Sequence, residues 1–193
     1  MYKKILVSLF VLSFGSVLTI NAADDPSRLR IYYPLSTTAA VEGCATCTVA
    51  GEGFSLHYVF GFGLGLGVTN SKTNITGGSS DYSIDAGSMI DVSYSFGSDF
   101  TFTLGYGVGS SPNYEQEAVE NVVTVVTGGS SNNSLIGIGY NFGGIEVLLG
   151  MRNVSATIQY ENTITIPGLG SITQAGVSTN NWLTTDIGVG FTF

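Results

Sequence analysis

Residues 182–193, Trp-Leu-Thr-Thr-Asp-Ile-Gly-Val-Gly-Phe-Thr-Phe, carry the pattern that decides the fold. Side chains alternate across a strand, so Leu183, Thr185, Ile187, Val189, Phe191 and Phe193 share one face. Thr184, Asp186, Gly188, Gly190 and Thr192 share the other. One face is apolar and ends in a bare aromatic, while the other is small or polar. Lipid on one side and a lumen on the other suit such a strand, because a sheet that crosses a membrane must close on itself to pair its backbone.

The same form recurs inside the chain. Tyr58-Val59-Phe60-Gly61, Tyr94-Ser95-Phe96-Gly97 and Tyr140-Asn141-Phe142-Gly143 each lead into another alternating run, at 62–68, 100–108 and 145–151. Glycine turns between alternating runs mark hairpins. The repeat predicts seven strands, at 51–60, 62–69, 82–96, 100–109, 134–142, 145–154 and 182–193. An antiparallel ring with both ends on one side needs an even number, and the alternating stretch Arg28-Leu29-Arg30-Ile31-Tyr32-Tyr33 supplies the missing first strand. The expected fold is all-β: an eight-stranded antiparallel up-and-down transmembrane β-barrel. Its three short glycine turns and its C-terminus lie on the periplasmic side. The four longer connections, 35–50, 70–81, 110–133 and 161–181, lie outside. Pro167-Gly168-Leu169-Gly170 reads as a hairpin tip above the membrane, and 122–127 as an upward extension of the sixth strand.

Counting outward positions from each turn gives Phe54, Leu56, Tyr58, Leu66, Val68, Ile90, Val92, Phe102, Leu104, Ile136, Ile138, Val147, Leu149 and Met151 among others, and none is charged. A Lys or Arg facing mid-bilayer would cost about 2–4 kcal/mol, so this register is the one a membrane selects. Tyr and Phe near the turns predict a lower aromatic girdle, with Tyr33, Phe54, Tyr82 and Tyr106 expected in an upper one. The competing architecture is a soluble, lipocalin-like barrel with the apolar face turned in. It conflicts with the glycine-rich second face, which includes Gly65, Gly67, Gly105, Gly107, Gly188 and Gly190.

The opening residues read as a secretory signal over 1–22, leaving a barrel domain over 23–193. Lys3 and Lys4 precede an apolar run at 5–20 and a small-residue cleavage site at Ile20-Asn21-Ala22. The run is short for a helical span of roughly 20 residues. Loss of the two lysines takes the formal net charge from −8 to −10, leaving Arg28, Arg30, Lys72 and Arg152 as the strong bases. Such a surface repels nucleic acid, so no nucleic-acid partner is expected.

Parity places Arg30, Asp91, Glu146, Arg152 and Asp186 in the lumen as a charge network, together with Arg28 and His57. Arg152 lies seven residues after Ile145 and Asp186 seven before Phe193, which predicts similar depth on neighbouring strands and an ion pair. The network either fills the lumen structurally or forms a selectivity ring for a small pore. The inward glycines either seat Tyr32, His57 and Trp182 or leave a slender channel; packing is the expectation, because eight strands enclose just enough room for side chains. His57 is the single histidine and sits near an inner turn, so neither a catalytic nor a metal site is expected, and no cofactor. Cys44 and Cys47 form a Cys-x-x-Cys in the first outer loop, read as a local disulfide rather than a redox or zinc motif. Glu115, Glu117 and Glu120 read as a solvated loop before a cation site, and Asn74-Ile75-Thr76 as a chance glycosylation match.

The signal, alternating strands, short inner turns, long outer loops and terminal Phe resemble the small outer-membrane barrels of the OmpA, OmpX and OmpW type. The resemblance spans the mature chain and rests on pattern rather than on a family-specific motif. It implies a place in the bacterial outer membrane, contact with outer-membrane lipid, and Phe191 and Phe193 as the terminal signal read by the barrel-insertion machinery. It implies a structural or surface-interaction role, with a possible surface partner at the outer loops and a largely filled lumen. The OmpW branch implies the alternative, a narrow channel for small hydrophobic solutes. A lipid-modifying enzyme is the third class, and His57 lies at the wrong end for one. With no peptidoglycan-binding domain in these residues, a cell-wall tether is not expected.

Overall fold

The computed structural model describes residues 26–40, 46–78, 81–116 and 121–193. The signal segment at 1–22, Cys44, Glu117 and Glu120 therefore lie outside the described residues. The strands are β1 (Arg28–Ala39), β2 (Thr48–Val59), β3 (Leu64–Thr76), β4 (Tyr82–Phe96), β5 (Phe100–Gly109), β6 (Asn113–Gln116), β7 (Val122–Asn141), β8 (Ile145–Ile166) and β9 (Gly170–Thr192). Each pairs antiparallel with its neighbour, and β1 pairs with β9 from Arg28↔Thr192 to Ala39↔Trp182, which closes the ring. The short β6 continues the line of β5: both pair with β4, β5 against its lower half and β6 against Tyr82 to Asp85. Pro112, which has no N–H to donate, sits in the break between them. The ring thus has eight staves, the fifth in two pieces.

The turn after β2 is wider than the sequence repeat predicts. Phe60 donates its N–H to the Leu64 carbonyl, so β3 starts at Leu64 rather than at residue 62. The upper ends differ more. β7, β8 and β9 run for 20, 22 and 23 residues, about twice the length a tilted strand needs to cross. Their upper halves form a three-stranded apron above the membrane, laced by Thr163–Thr173 and Thr165–Ser171 hydroxyl contacts at 3.0 and 3.1 Å. The apron ends at the predicted tip, where Leu169 donates to the Ile166 carbonyl.

The outward face carries an uninterrupted apolar belt. Leu66, Ile90, Val92, Leu104, Ile136, Ile138, Val147, Leu149 and Ile187 are all exposed. Immediately above it the outward residues become polar, with Glu52 paired beside Lys72 and with Asn153 one step beyond Met151. A belt around a whole barrel exceeds the few hundred Å² of contiguous apolar surface that a water-soluble monomer tolerates, and lipid is its natural solvent.

One expectation fails at a bulge. Between Asp85 and Ser88 β4 carries an extra residue opposite Asn70 and Lys72. Gly87 occupies it at φ 70°, where a side chain would be strained, and its N–H is held by Asp85 Oδ1 at 2.7 Å. The insertion flips the alternation. Below it Met89 and Asp91 point inward; above it Ile84 and Ala86 do, and Tyr82 packs against their cluster. Tyr82 therefore leaves the outer girdle, while Tyr33, Phe54 and Tyr106 stay exposed.

The belt yields a direct test. Leu149→Arg, at the lipid face, should lower stability by about 2–4 kcal/mol in vesicle-based urea unfolding, and Asn153→Arg, above the belt, by less than about 1. Equal costs at both positions would contradict the assigned membrane level.

Candidate functional site

The lumen is built in tiers. At the inner end Arg30, 1% exposed, meets Glu146, 0% exposed, in a two-pronged pair: Nε donates to Oε2 and Nη2 to Oε1, both at 2.7 Å. Its remaining donors reach Ser95 Oγ at 2.6 Å, Thr103 Oγ1 at 2.8 Å and Thr101 Oγ1 at 3.1 Å. All of the guanidinium N–H groups are thereby used, which is the condition for holding a charge in a dry interior. Arg28, just below, donates to the Gly97 and Ser98 carbonyls of an inner turn.

The next tier centres on Asp91. Its carboxylate accepts from Thr69 and from Asn133 Nδ2, the latter at 2.8 Å, with His57 Nε2 3.2 Å and Arg152 Nη1 3.5 Å away. Arg152 Nη1 also donates to Asn133 Oδ1 at 2.8 Å, and its Nε to Asp186 Oδ2 at 3.2 Å. The five lumen charges read from sequence thus lie in two clusters: Arg30 with Glu146, and Asp91, Arg152 and Asp186 together. The inward glycines give these groups room. A side chain at Gly107 would strike Asp91 and Asn133, one at Gly190 would strike Glu146 and Arg30, and one at Gly67 would strike His57.

Above the charges lies an apolar plug that the sequence reading did not find. Ile75, Ile84, Met89, Val154, Ile158 and Trp182 are buried against one another, and Trp182 Nε1 donates to Ser71 Oγ at 3.0 Å. The signal for it was the parity flip at Gly87. The neutral partners Ser95, Thr101, Thr103 and Asn133 were also missed, although each shares the inward parity of the charges it serves.

Above the plug the barrel opens into a vestibule of about 260 Å³, lined by side chains from β4, β6, β7, β8 and β9. Outside the wall Lys72 donates to Glu115 at 3.1 Å, and this hydrogen bond holds the Glu115 carboxyl below the usual carboxylate range. Cys47 is disulfide-bonded. Among the described residues no group of His, Cys, Asp and Glu has the arrangement of a metal site.

No family model and no curated protein matches the chain. Among solved structures, Neisserial surface protein A is similar over 86% of this chain and 96% of its own, with a TM-score of 0.56 and 13% identity. The chain has the fold of a small outer-membrane β-barrel. Together with the lipid-facing belt, that fold places the protein in the bacterial outer membrane. The N-terminal β-barrel domain of Pseudomonas aeruginosa OprF is also similar, over 88% of this chain and 98% of its own, with a TM-score of 0.45 and 13% identity.

The barrel's buried pair makes a double-mutant cycle decisive. Glu146→Leu alone strands Arg30 and should cost about 3–5 kcal/mol of unfolding free energy, whereas Arg30→Leu combined with Glu146→Leu should cost less than either single change. Strictly additive costs would mean that the two groups are not energetically paired.

Proposed function

We propose that the protein is a non-conducting outer-membrane barrel that presents a surface-interaction platform, with its lumen serving as a rigid strut. The single observation that carries this reading is the occupancy of the lumen. Two ionic clusters and an apolar plug follow one another along the axis, each built of residues 0–4% exposed. A remaining gap beside Tyr32, Arg152 and Asp186 has a volume of about 10 Å³, no more than one water molecule. Packing of this kind among the described residues supports a lumen closed to ions and solutes.

The apron supports the second half of the proposal. It raises β7, β8 and β9 well above the belt and exposes Val123, Val125, Leu169 and Val177 to the medium. Loops and strand ends on a rigid scaffold are where contacts with partners concentrate. Trimming the apron leaves the membrane-spanning ring and both ionic clusters untouched, which separates display from scaffold.

Refolded protein in planar bilayers should show no stepwise conductance, and neither should a variant in which residues 161–175 are replaced by a short turn. Discrete openings in the full-length protein would overturn the filled-lumen reading in favour of a narrow channel.

A further inference from the structure

The vestibule above the plug has no part in the strut or the belt. Three tyrosines line it, Tyr82 from β4, Tyr114 from β6 and Tyr160 from β8, with the amides and hydroxyl of Asn162, Asn180 and Ser178 among the remaining wall. Ile158 belongs to both the vestibule lining and the plug, so the space is a blind cup rather than a channel mouth. Among the described residues none of its lining carries a formal charge, although the chain as a whole carries −8.

The aromatic wall is held in place. The Tyr82 and Tyr114 rings lie 5.7 Å apart at 39°, and Tyr114 donates its hydroxyl to Gln116 Oε1 at 2.9 Å. Burial pushes the Tyr114 phenol above its ordinary value, so it remains a protonated donor at neutral pH. Tyr160 lies across its cross-strand partner Gly176, where an added Cβ would come within 2.6 Å of the ring. Glycine at 176 is thus the seat that keeps Tyr160 against the wall.

We propose that this cup binds one neutral pyranose, free in solution or at the end of a longer saccharide. A sugar ring offers apolar C–H faces to the electron-rich face of an aromatic ring and a rim of hydroxyls to amide and hydroxyl groups. The cup supplies both kinds of surface. Its volume, about 260 Å³, lies just below the range of pockets that hold drug-sized ligands, which suits one ring and excludes a long oligosaccharide lying flat. A charged sugar would find no counter-charge among the described lining residues and would lose hydration without return. A purely apolar ligand would leave the Asn162 and Asn180 amides desolvated. The inference takes from the proposed function only that this end of the barrel faces outward.

The test uses the full barrel in phosphatidylcholine nanodiscs, because a sugar-headed detergent would compete. The probes are methyl glucoside, methyl galactoside and N-acetylglucosamine, each offered in solution and also as the headgroup of a synthetic lipid in the disc. Saturation-transfer NMR should show contact to ring protons of at least one probe; which form binds identifies the source of the sugar. Tyr160→Ala should weaken that binding about tenfold or more, and so should Gly176→Val, which keeps the tyrosine but unseats it. Unchanged emission from Trp182, the one tryptophan, reports that each variant is folded. The proposal is overturned by absence of transfer from every probe, by binding that neither variant alters, or by p-cresol binding more tightly and displacing the sugar. Conductance is read separately, so a failed sugar test and a failed filled-lumen reading are distinguishable.

Discussion

Everything in this barrel depends on the pairing of β1 with β9. At bilayer depth there is no water to satisfy a bare N–H or C=O, and each left unpaired costs several kcal/mol. The register from Arg28↔Thr192 upward removes both open edges at once. Closure in turn gives the sheet an inside. Without it the alternation of the strands would present charges and apolar groups to two equivalent lipid faces, and Arg30, Glu146, Asp91 and Arg152 would have nowhere to hide.

The inside then sets its own rule, that Arg30, Asp91, Glu146, Arg152 and Asp186 each sit beside an opposite charge. Arg30 meets this rule most completely, through a carboxylate and three hydroxyls. Arg152 bridges Asp186 and Asn133 and approaches Asp91, tying β4, β7, β8 and β9 across the axis. The same rule accounts for the glycines. Each inward glycine beside a charge gives up its own side chain so that a larger neighbour can reach across, which turns a weakness of glycine in strands into working space.

The lower two-thirds of the fold was legible in the sequence because its alternation is strict and starts from recognisable turns. β4 and β5 fall at the boundaries that the repeat predicts, and the outward list from Phe54 to Met151 matches the exposed belt except at Phe102, which is half-buried. The upper third was less legible for a physical reason. Bulges between Pro34 and Ser36, around Gly87, and between Val126 and Gly128 each shift the register by one residue. Parity counted from the inner turns is wrong beyond them, so Tyr82 was expected on the lipid face, and the plug around Trp182 was not assembled from its separate strands. In the lumen the ionic residues were readable as rare charges in an apolar chain. Their Ser, Thr and Asn partners were not, since such residues are common everywhere in this sequence.

The connectivity also makes the ring's joints unequal. Most neighbouring strands are joined by hairpins, and β8 and β9 keep one unbroken register from Ile145↔Phe191 to Ile166↔Gly170. Contacts so near in sequence demand little chain entropy and form early. The joint between β1 and β9 unites residues at opposite ends of the chain, so it bears the largest single loop-closure cost. Assembly is therefore expected to proceed as a curling ribbon of hairpins whose two free margins meet last, with the slow step at that seam.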